Sequence, residues 1–374
     1  MVSRRVVPPV LACCALLLLA ACATRPPRRR VSASGKDAGD CRGAPCRTIG
    51  YAVSRAAAGD TIVVDGGTYR EAVTIRKRLT LIGHGATIDA AGQASPPNGV
   101  LIEGDSAAGT RVAGVTIRNA GLEGIFAHRT SRITIENDSV LGSDAYGTDN
   151  PLCTRHQSDC GEAIHLQAVT GSVVRGNVVR ENLGGILLTD EDGPTADDTV
   201  SDNMVSDNPK DCGITLASHW FDSTAASAAP EAVAGVYRNV VLHNIVSRNG
   251  GAGIGVFAAA QGGAAWGNVV AGNTTEHNLM AGLMAHSHTR AQNLNGNVFR
   301  DNTVAGNGPD FDNPADRLPA GISVFGAVVP IQGTVVAGNR VSDEHYGVVL
   351  VRAPVADLRA NTFDRTIRVR TWVH

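Results

Sequence analysis

Acidic and histidine side chains that could exchange protons are concentrated in three short segments near the middle of the chain. The first segment contains His165, the second is the run Asp190, Glu191 and Asp192, and the third ends at His219. A carboxylate beside an imidazole can support acid–base chemistry, because it raises the basicity of a histidine that moves a proton near neutral pH. The sequence therefore offers a proton-transfer site, provided that the fold brings these segments together.

An asparagine-containing phrase repeats through the second half of the chain and indicates how the segments are arranged. It reads Asn-x-(Val/Thr)-x-x-Asn and is followed by Gly-(Ile/Leu/Val)-x-(Leu/Val/Ala). Copies begin at Asn177, Asn203, Asn244, Asn273 and Asn302, and degenerate copies begin at Asn339 and Asn361. Because the spacing is in the twenties with irregular excess, it predicts a solenoid with loops inserted into some of its turns.

Each repeat also supplies a short apolar strand, which could be stable only when stacked on its neighbours. Such strands are 186–188, 214–216, 254–256, 322–324 and 348–350. Stacked about 4.8 Å apart, they would form a continuous core. The asparagines tolerate left-handed φ and can bond a like residue one turn away, so we expect an internal ladder rather than a ligand site.

Stacking predicts which polar side chains become neighbours. We take the isoleucine of each apolar strand as the inward reference; these are Ile164, Ile186 and Ile214. His165 then points outward, Glu191 falls level with His219, and Asp190 falls level with Ser218. We therefore predict a catalytic group in which His219 is the base or acid, Glu191 is its partner and His165 lies nearby.

The acidic run has two other interpretations. Asp190 and Asp192 offer hard oxygen ligands for calcium, although their spacing does not match the loop Asp-x-Asp-x-Asp-Gly. Taken singly, these carboxylates could be a solvated turn, and His219 could simply pack against Trp220. Insertions at 143–160 and 217–234 flank the region, with a third at 308–320, and long loops in compact folds are often functional.

Strands, corners and period together resemble the right-handed parallel β-helix proteins of the pectate-lyase-like superfamily, over roughly residues 41–365. The segments 59–69, 73–75 and 79–83 resemble the opening coil of such proteins. The resemblance implies an all-β, right-handed parallel β-helix. Ile49, Ala52, Val53 and Ala56 lie on one helical face, which predicts an N-terminal helix that caps the apolar end.

The resemblance implies a carbohydrate-active protein but transfers no catalytic residue. The paired aspartates of polygalacturonases and the tyrosine–aspartate–histidine segment of alginate epimerases are absent. We expect a protein that binds and processes an extracellular polysaccharide by lyase- or epimerase-type chemistry. The alternatives are a non-catalytic surface binding or scaffold module, or a maturation module for an envelope protein. A further alternative is metal delivery through His277, His286 and His288.

The first residues have the pattern of an export signal. A basic start is followed by an apolar run that is too short to span a bilayer. Residues 19–22 resemble the lipobox of bacterial lipoproteins, which implies a signal peptide 1–21 and lipidation of Cys22. Residues 22–40 read as a flexible tether, followed by one domain, 41–374. We therefore expect a monomer of the cell envelope that contacts the membrane through its lipid alone.

The remaining cysteines and the charge refine this picture. Cys41 and Cys46, and likewise Cys153 and Cys160, are close enough for local disulfides in an oxidising compartment, and Cys212 is expected to be a buried thiol. A net charge of -2, without a basic stripe, argues against nucleic acid as a partner.

Overall fold

The computed structural model describes residues 28–93, 95, 97–144, 161–311, 317–355 and 357–372, and it is an all-β, right-handed parallel β-helix. Every coil contributes strands to three columns, and the paired strands within each column are parallel. The fold class predicted from the sequence is confirmed.

The strands of the first two columns form one continuous sheet, because β5 and β7 extend through both columns. The first column contains β1 (Arg28–Val31), β2 (Thr61–Val64), β5 (Thr80–Asp89), β7 (Arg111–Arg118), β9 (Thr134–Glu136), β12 (Val173–Arg175), β16 (Thr199–Ser201), β20 (Val240–Leu242), β24 (Val269–Ala271), β27 (Val298–Arg300) and β30 (Val335–Ala337). The second column adds β3 (Gly67–Tyr69), β10 (Ser139–Leu141), β13 (Val178–Arg180), β17 (Met204–Ser206), β21 (Ile245–Ser247), β25 (Thr274–Glu276), β28 (Thr303–Ala305), β31 (Arg340–Ser342) and β33 (Thr362–Asp364).

The third column carries the candidate site on its outer face. It contains β4 (Val73–Ile75), β6 (Val100–Glu103), β8 (Ile125–Ser131), β11 (Glu162–Thr170), β14 (Gly184–Thr189), β18 (Ile214–Ser218), β22 (Ile254–Ala258), β26 (Leu283–Ser287), β29 (Ala320–Gly326), β32 (Tyr346–Val351) and β34 (Ile367–Trp372). The short strands β15 (Thr195–Ala196), β19 (Val236–Tyr237) and β23 (Ala265–Trp266) continue the end of β11, and a 3-10 turn covers Asp105–Ala107.

The core is a set of aliphatic stacks that run along the axis. Ile164 pairs with Ile186, Ile186 with Ile214, and Ile214 with Ile254, and all four side chains are buried. Outward neighbours alternate with them, as expected for strands with one face on the core. The inward reference chosen from the sequence is therefore correct.

Three ladders of side-chain amides join successive coils at the corners. Asn203 N–H and Asn203 Nδ2 both donate to Asn244 Oδ1, at 3.0 Å and 2.9 Å, although these residues are 41 positions apart. Asn177 and Asn203, only 26 positions apart, make the same two bonds at 3.0 Å and 2.9 Å. Because the ladder geometry is unchanged, the longer coil accommodates its extra residues elsewhere. The expected internal ladder is present.

The left-handed residue of each corner immediately precedes the ladder asparagine. Asp202, His243 and Asp301 have φ values of 57°, 56° and 58°, and each is followed by a ladder asparagine. The ladder asparagines are not among the residues with positive φ, so their tolerance of left-handed φ is not used at these corners. The ladder asparagine is buried, where its amide satisfies backbone groups of the adjacent coil.

Most glycines ahead of the third-column strands are required by close packing rather than by positive φ, and Gly161, with a φ of 94°, is an exception. A Cβ placed on Gly213 would lie 2.8 Å from the carbonyl oxygen of Gly253 on the next coil. Gly213 is absent from the residues with positive φ. Only glycine lets adjacent corners approach this closely.

The N-terminal end is closed by a helix and an additional strand. The helix α1 (Ile49–Arg55) begins at Thr48, whose hydroxyl accepts from Tyr51 N–H, and it buries Ile49, Ala52 and Val53.

The structure joins Cys41 and Cys46 in a disulfide, and Cys212 is a buried free thiol. Among the described residues, no helix has the length and apolar character needed to cross a membrane.

The prediction of a flexible tether over 22–40 is wrong for its described part. Residues 28–31 form β1, which pairs in parallel with β2. Arg29 forms a buried ion pair with Asp60 at 2.7 Å, so its charge is compensated inside the cap. The rest of the predicted tether, the signal peptide 1–21 and Cys22 lie outside the described residues.

We expect Asn244→Leu to weaken the fold strongly. It leaves Asn203 N–H and Asn203 Nδ2 without their acceptor at a buried corner, and it removes the side-chain amide that donates to Asn273 Oδ1. A loss of about 2–4 kcal/mol in the free energy of unfolding is expected from chemical denaturation, at roughly 1–3 kcal/mol per unsatisfied group. The neighbouring Ile245→Thr, at a half-exposed outward position, is the matched control. Equal stability of the two variants would contradict the ladder's role.

Acidic residues replace asparagine at some ladder positions, and this makes stability depend on pH. Asp138 lies in the ladder below Asn177, and Asp138 Oδ1 accepts from Val115 N–H. Burial is the main cause that raises the pKa of Asp138 to about 7, against the lowering effect of its backbone hydrogen bond. Because the folded pKa exceeds the unfolded value, its stabilising contribution is fully present below about pH 4. That contribution is lost as pH rises through 7.

Asp138→Asn should remove this dependence, since an amide matches the other rungs and does not ionise. The free energy of unfolding of Asp138→Asn should rise relative to that of the wild type by roughly 2 kcal/mol between pH 5 and pH 8, at about 1.4 kcal/mol per pKa unit. Denaturation curves at several pH values measure it, with exposed Asp202→Asn as control. An advantage that is constant with pH would show that Asp138 does not titrate in this range.

Candidate functional site

The turn after β14 and the exit of β18 bring the predicted acidic and histidine residues together. Register places Thr189 beside Ala217, so the next residues, Asp190 and Glu191, fall level with Ser218 and His219. His219 Nδ1 lies 2.9 Å from Glu191 Oε1. Their side chains are 22% and 26% exposed, so solvent reaches both. The structure brings the predicted pair into contact.

Burial and hydrogen bonding oppose each other at Glu191. Burial favours the neutral carboxyl most strongly, but the hydrogen bond and positive charge of His219, with contributions from Thr189 and His165, outweigh it. The pKa of Glu191 therefore lies below its usual value. An ionised carboxylate that contacts an imidazole orients the ring and stabilises its protonated form.

Asp190 supports this pair from beneath. Its Oδ2 accepts a hydrogen bond from Ser218 Oγ at 2.6 Å, and its Oδ1 accepts from the backbone N–H groups of His219 at 2.7 Å and Trp220 at 3.0 Å. The side chain is completely buried, which is the main cause that raises the pKa of Asp190 above its usual value, against the lowering effect of these bonds. Asp190 thus fixes the backbone that carries His219.

Asp192 points away from Asp190 and belongs to a second cluster. Its Oδ2 lies 2.8 Å from His128 Nε2 and accepts from Gln167 Nε2 at 2.9 Å, while Arg129 donates to its Oδ1. Burial opposes ionisation of Asp192, but the bonds from His128 and Arg129 hold its pKa below the usual value. The predicted calcium pair is therefore corrected, because Asp190 and Asp192 are engaged by different partners and do not converge.

His128 was missed by the sequence analysis. Its strand, β8, precedes the first asparagine phrase, so the repeat gave no reference for its register. The alignment of Ile125 with Ile164 could have found it, because that pairing places His128 beside Gln167. His128 also stacks on Phe126, with ring centroids 5.4 Å apart.

His165 occupies the predicted outward position but is completely buried. Its Nε2 lies 2.9 Å from Thr189 Oγ1, and Phe126 covers the ring with centroids 5.1 Å apart. The prediction that His165 acts beside His219 at the surface is therefore corrected. It lies under the groove rather than in it.

Two concave regions follow one another along the outer face of the third column and together define what we call the groove. The first is lined by Leu101, Glu103, Glu123, Phe126, His128, Gln167 and Asp192. The second is lined by Glu162, Leu187, Asp211, Thr215, Ala217, His219, Phe257 and His288. From β6 to β26 there are six steps between strands, so the groove extends for about 29 Å at ~4.8 Å per step.

The later histidines do not form a common site. His286 is buried and its Nε2 lies 2.9 Å from Asp310 Oδ2, between the rings of Phe257 and Phe325. His277 lies on a different surface, beside Gly306. The interpretation of His277, His286 and His288 as a metal-delivery group is therefore not supported by the geometry.

The predicted loops are described only in part. The loop between β18 and β19 carries Trp220 and Phe221, and Phe221 is 65% exposed. Most of the predicted 143–160 loop, with Cys153 and Cys160, lies outside the described residues. So do residues 312–316 of the 308–320 loop.

Comparison with known proteins identifies the fold. A family model described as a right-handed beta helix region matches residues 98–265. Comparison with curated protein sequences finds no match. Among solved structures, the chain is similar to the mannuronan C-5 epimerase AlgE6 A-module of Azotobacter vinelandii, at 15% identity and a TM-score of 0.53, covering 87% of this chain and 94% of that one.

Two further structures share the same fold. The pectate lyase Pel9A has 15% identity and a TM-score of 0.54, covering 90% of this chain and 78% of that one. PfbA, a surface adhesin of Streptococcus pneumoniae, has 14% identity and a TM-score of 0.52, covering 86% and 87%. These similarities establish the right-handed parallel β-helix.

We expect Asp190→Ala to destabilise the protein more than Glu191→Ala. The first change leaves three buried donors without an acceptor, which corresponds to about 2–4 kcal/mol in the free energy of unfolding. The second removes a partly exposed side chain and should have a smaller effect. Denaturant titration of both variants measures the difference. If Glu191→Ala were the more damaging change, Asp190 would not be the residue that supports the turn.

Proposed function

We propose that this protein binds a polysaccharide along the groove, and that His219 and Glu191 form a proton-transfer pair of lyase or epimerase type. The observation that carries the proposal is the 2.9 Å contact between His219 Nδ1 and Glu191 Oε1 at the groove surface. The pair is held by rigid elements. Asp190 fixes the backbone of His219, and the register of β14 and β18 brings Glu191 level with His219.

The dimensions of the groove suit a linear polymer. It follows the helix axis for about 29 Å, so several sugar units could lie across successive strands. Phe126 and Phe257 line it with partly exposed rings, and His128, Gln167 and Asp192 supply polar groups. Aromatic faces beside a few fixed polar groups are typical of sites that bind small or linear ligands.

The chemistry supported best is removal of a proton from a sugar carbon beside a carboxylate group. His219 would act as the base or acid, and the ionised Glu191 would orient its ring and stabilise the imidazolium. Two structures with this fold are a mannuronan C-5 epimerase module and a pectate lyase, which supports chemistry of this class. Elimination would give a lyase, and return of the proton to the other face would give an epimerase.

We further propose that the chain is exported and lipid-anchored at the cell envelope and acts as a monomer. The support is the sequence of residues 1–22, with its basic start, short apolar run and lipobox-like end. The groove would then face material outside the cytoplasm.

A second candidate function is glycan binding without turnover, and the charge of the groove favours it. Glu103, Asp192 and Asp211 place carboxylates at the groove surface, Glu123 and Glu162 lie buried just beneath it, and the described lining includes neither lysine nor arginine. Such a surface repels a polyuronate unless a cation intervenes, whereas a neutral glycan is unaffected. PfbA, which has the same fold, is a surface adhesin of Streptococcus pneumoniae.

The two functions are separated by assaying polyuronates and neutral glycans in deuterium oxide. A lyase gives an ultraviolet-absorbing unsaturated end, and an epimerase gives carbon-bound deuterium. His219→Gln and Glu191→Gln should retain glycan binding but lower kcat by about 100-fold or more, the usual contribution of a general acid or base. The exposed His243→Gln, on the opposite sheet, is the matched control. Binding by the wild type without either product would leave only the second function.

A further inference from the structure

A compact group of two carboxylates and one imidazole lies beneath the groove, apart from the His219–Glu191 pair. Glu123 precedes β8, and Glu162 and His165 are on β11. One ligand atom from each of the three lies within 4.8 Å of the other two. The residues are 2%, 4% and 0% exposed, so the group is almost completely removed from water. From this group we infer that the protein binds one divalent transition-metal ion, with Zn²⁺ as the preferred ion, through Glu123, Glu162 and His165.

One nitrogen of the His165 imidazole is bonded and the other is left without a partner. His165 Nε2 is held by Thr189 Oγ1 at 2.9 Å, which leaves Nδ1 directed at the carboxylates. This Nδ1 is buried and has no hydrogen-bond partner in the described part of the chain. It lies 3.6 Å from Glu123 Oε1, which is too far for a hydrogen bond. A buried ring nitrogen in this position calls for a donor or a cation, and a cation would also be attracted by the two carboxylates.

The donor atoms of His165 and Glu123 are separated as two ligands of one metal ion would be. Two ligands bound to one tetrahedral zinc at ~2.1 Å are about 3.4 Å apart. The distance of 3.6 Å between His165 Nδ1 and Glu123 Oε1 is close to this value. The spacing therefore fits two ligands of one ion better than a direct contact.

The group also brings two carboxylates together in a buried site. Two carboxylates in a dehydrated site repel each other unless a proton or a cation lies between them. Asn98 Nδ2 donates to Glu123 Oε2, which orients the carboxylate and leaves Oε1 towards His165. One imidazole with two carboxylates is a donor set suited to zinc or manganese, and zinc binds such ligands more tightly.

The neighbouring residues have the character of supporting groups in metal sites. Ligating histidines donate their second ring N–H to a fixed acceptor, and Thr189 occupies that place here. The site lies on β11 and at the residue pair leading into β8, and Gly124 N–H ties this entry to β11 by donating to Glu162 O at 3.1 Å. Three protein ligands leave a fourth position for water or a ligand group.

The test uses the full chain, freed of metal by chelation, and does not depend on any glycan activity. Zn²⁺, Mn²⁺ and Ca²⁺ are titrated separately against a competing chromophoric chelator. We expect one Zn²⁺ per chain, weaker Mn²⁺ and no comparable Ca²⁺ binding. His165→Gln and Glu162→Gln should weaken Zn²⁺ binding at least ~10-fold, and Thr189→Val should weaken it by roughly 10–100-fold without removing a ligand. The exposed His243→Gln should bind as the wild type does.

A second measurement keeps the inference testable if a buried variant fails to fold. Co²⁺ replaces Zn²⁺ in the wild type, and its visible absorption reports a tetrahedral site with nitrogen and oxygen ligands. Less than a tenth of an equivalent of bound metal, or an octahedral cobalt spectrum, would overturn the inference. So would unchanged zinc affinity in a folded His165→Gln variant. Failure of the glycan assays with stoichiometric zinc binding would reject only the proposed function.

Discussion

The structure depends above all on the register between successive coils. Parallel backbone pairing sets the step of each column, and the buried asparagine ladders lock that step at the corners. A slip of one residue would turn every outward side chain towards the core, so register is strongly specified where aliphatic stacks such as Ile186 on Ile214 are buried. Every contact of the candidate site between residues far apart in sequence is a consequence of this constraint.

Within that frame, adjacent carboxylates take different roles because their surroundings differ. Asp190 is enclosed and saturated by three donors, so it holds the backbone in place. Glu191, one residue later, emerges at the surface and meets His219. Asp192 turns to the coils on the other side and binds His128. Three consecutive acidic residues thus serve three separate purposes, because successive side chains of an extended segment face different neighbours.

The sequence predicted the fold and the pairing of Glu191 with His219 because both follow from the repeat and from period-two alternation. It could not predict that Asp190 would be saturated by backbone N–H groups of the next coil, since those donors leave no mark in residue types. The sequence predicted the position of His165 on its strand correctly. It did not predict that the side chain is buried, because this depends on how Phe126 covers the ring. The strand at 28–31 was missed because an arginine-rich run looks solvated until Asp60 compensates Arg29.

The ladders are the same across coils of unequal length, so insertions and deletions in the loops can occur without changes in the core. Coils joined by 26 and by 41 residues make the same amide bonds at the same distances. Residues can therefore be added or removed at one corner while the ladder and the core keep their geometry. The walls beside the groove are free to diversify by insertion and deletion, so relatives with an unchanged scaffold could differ in what they recognise.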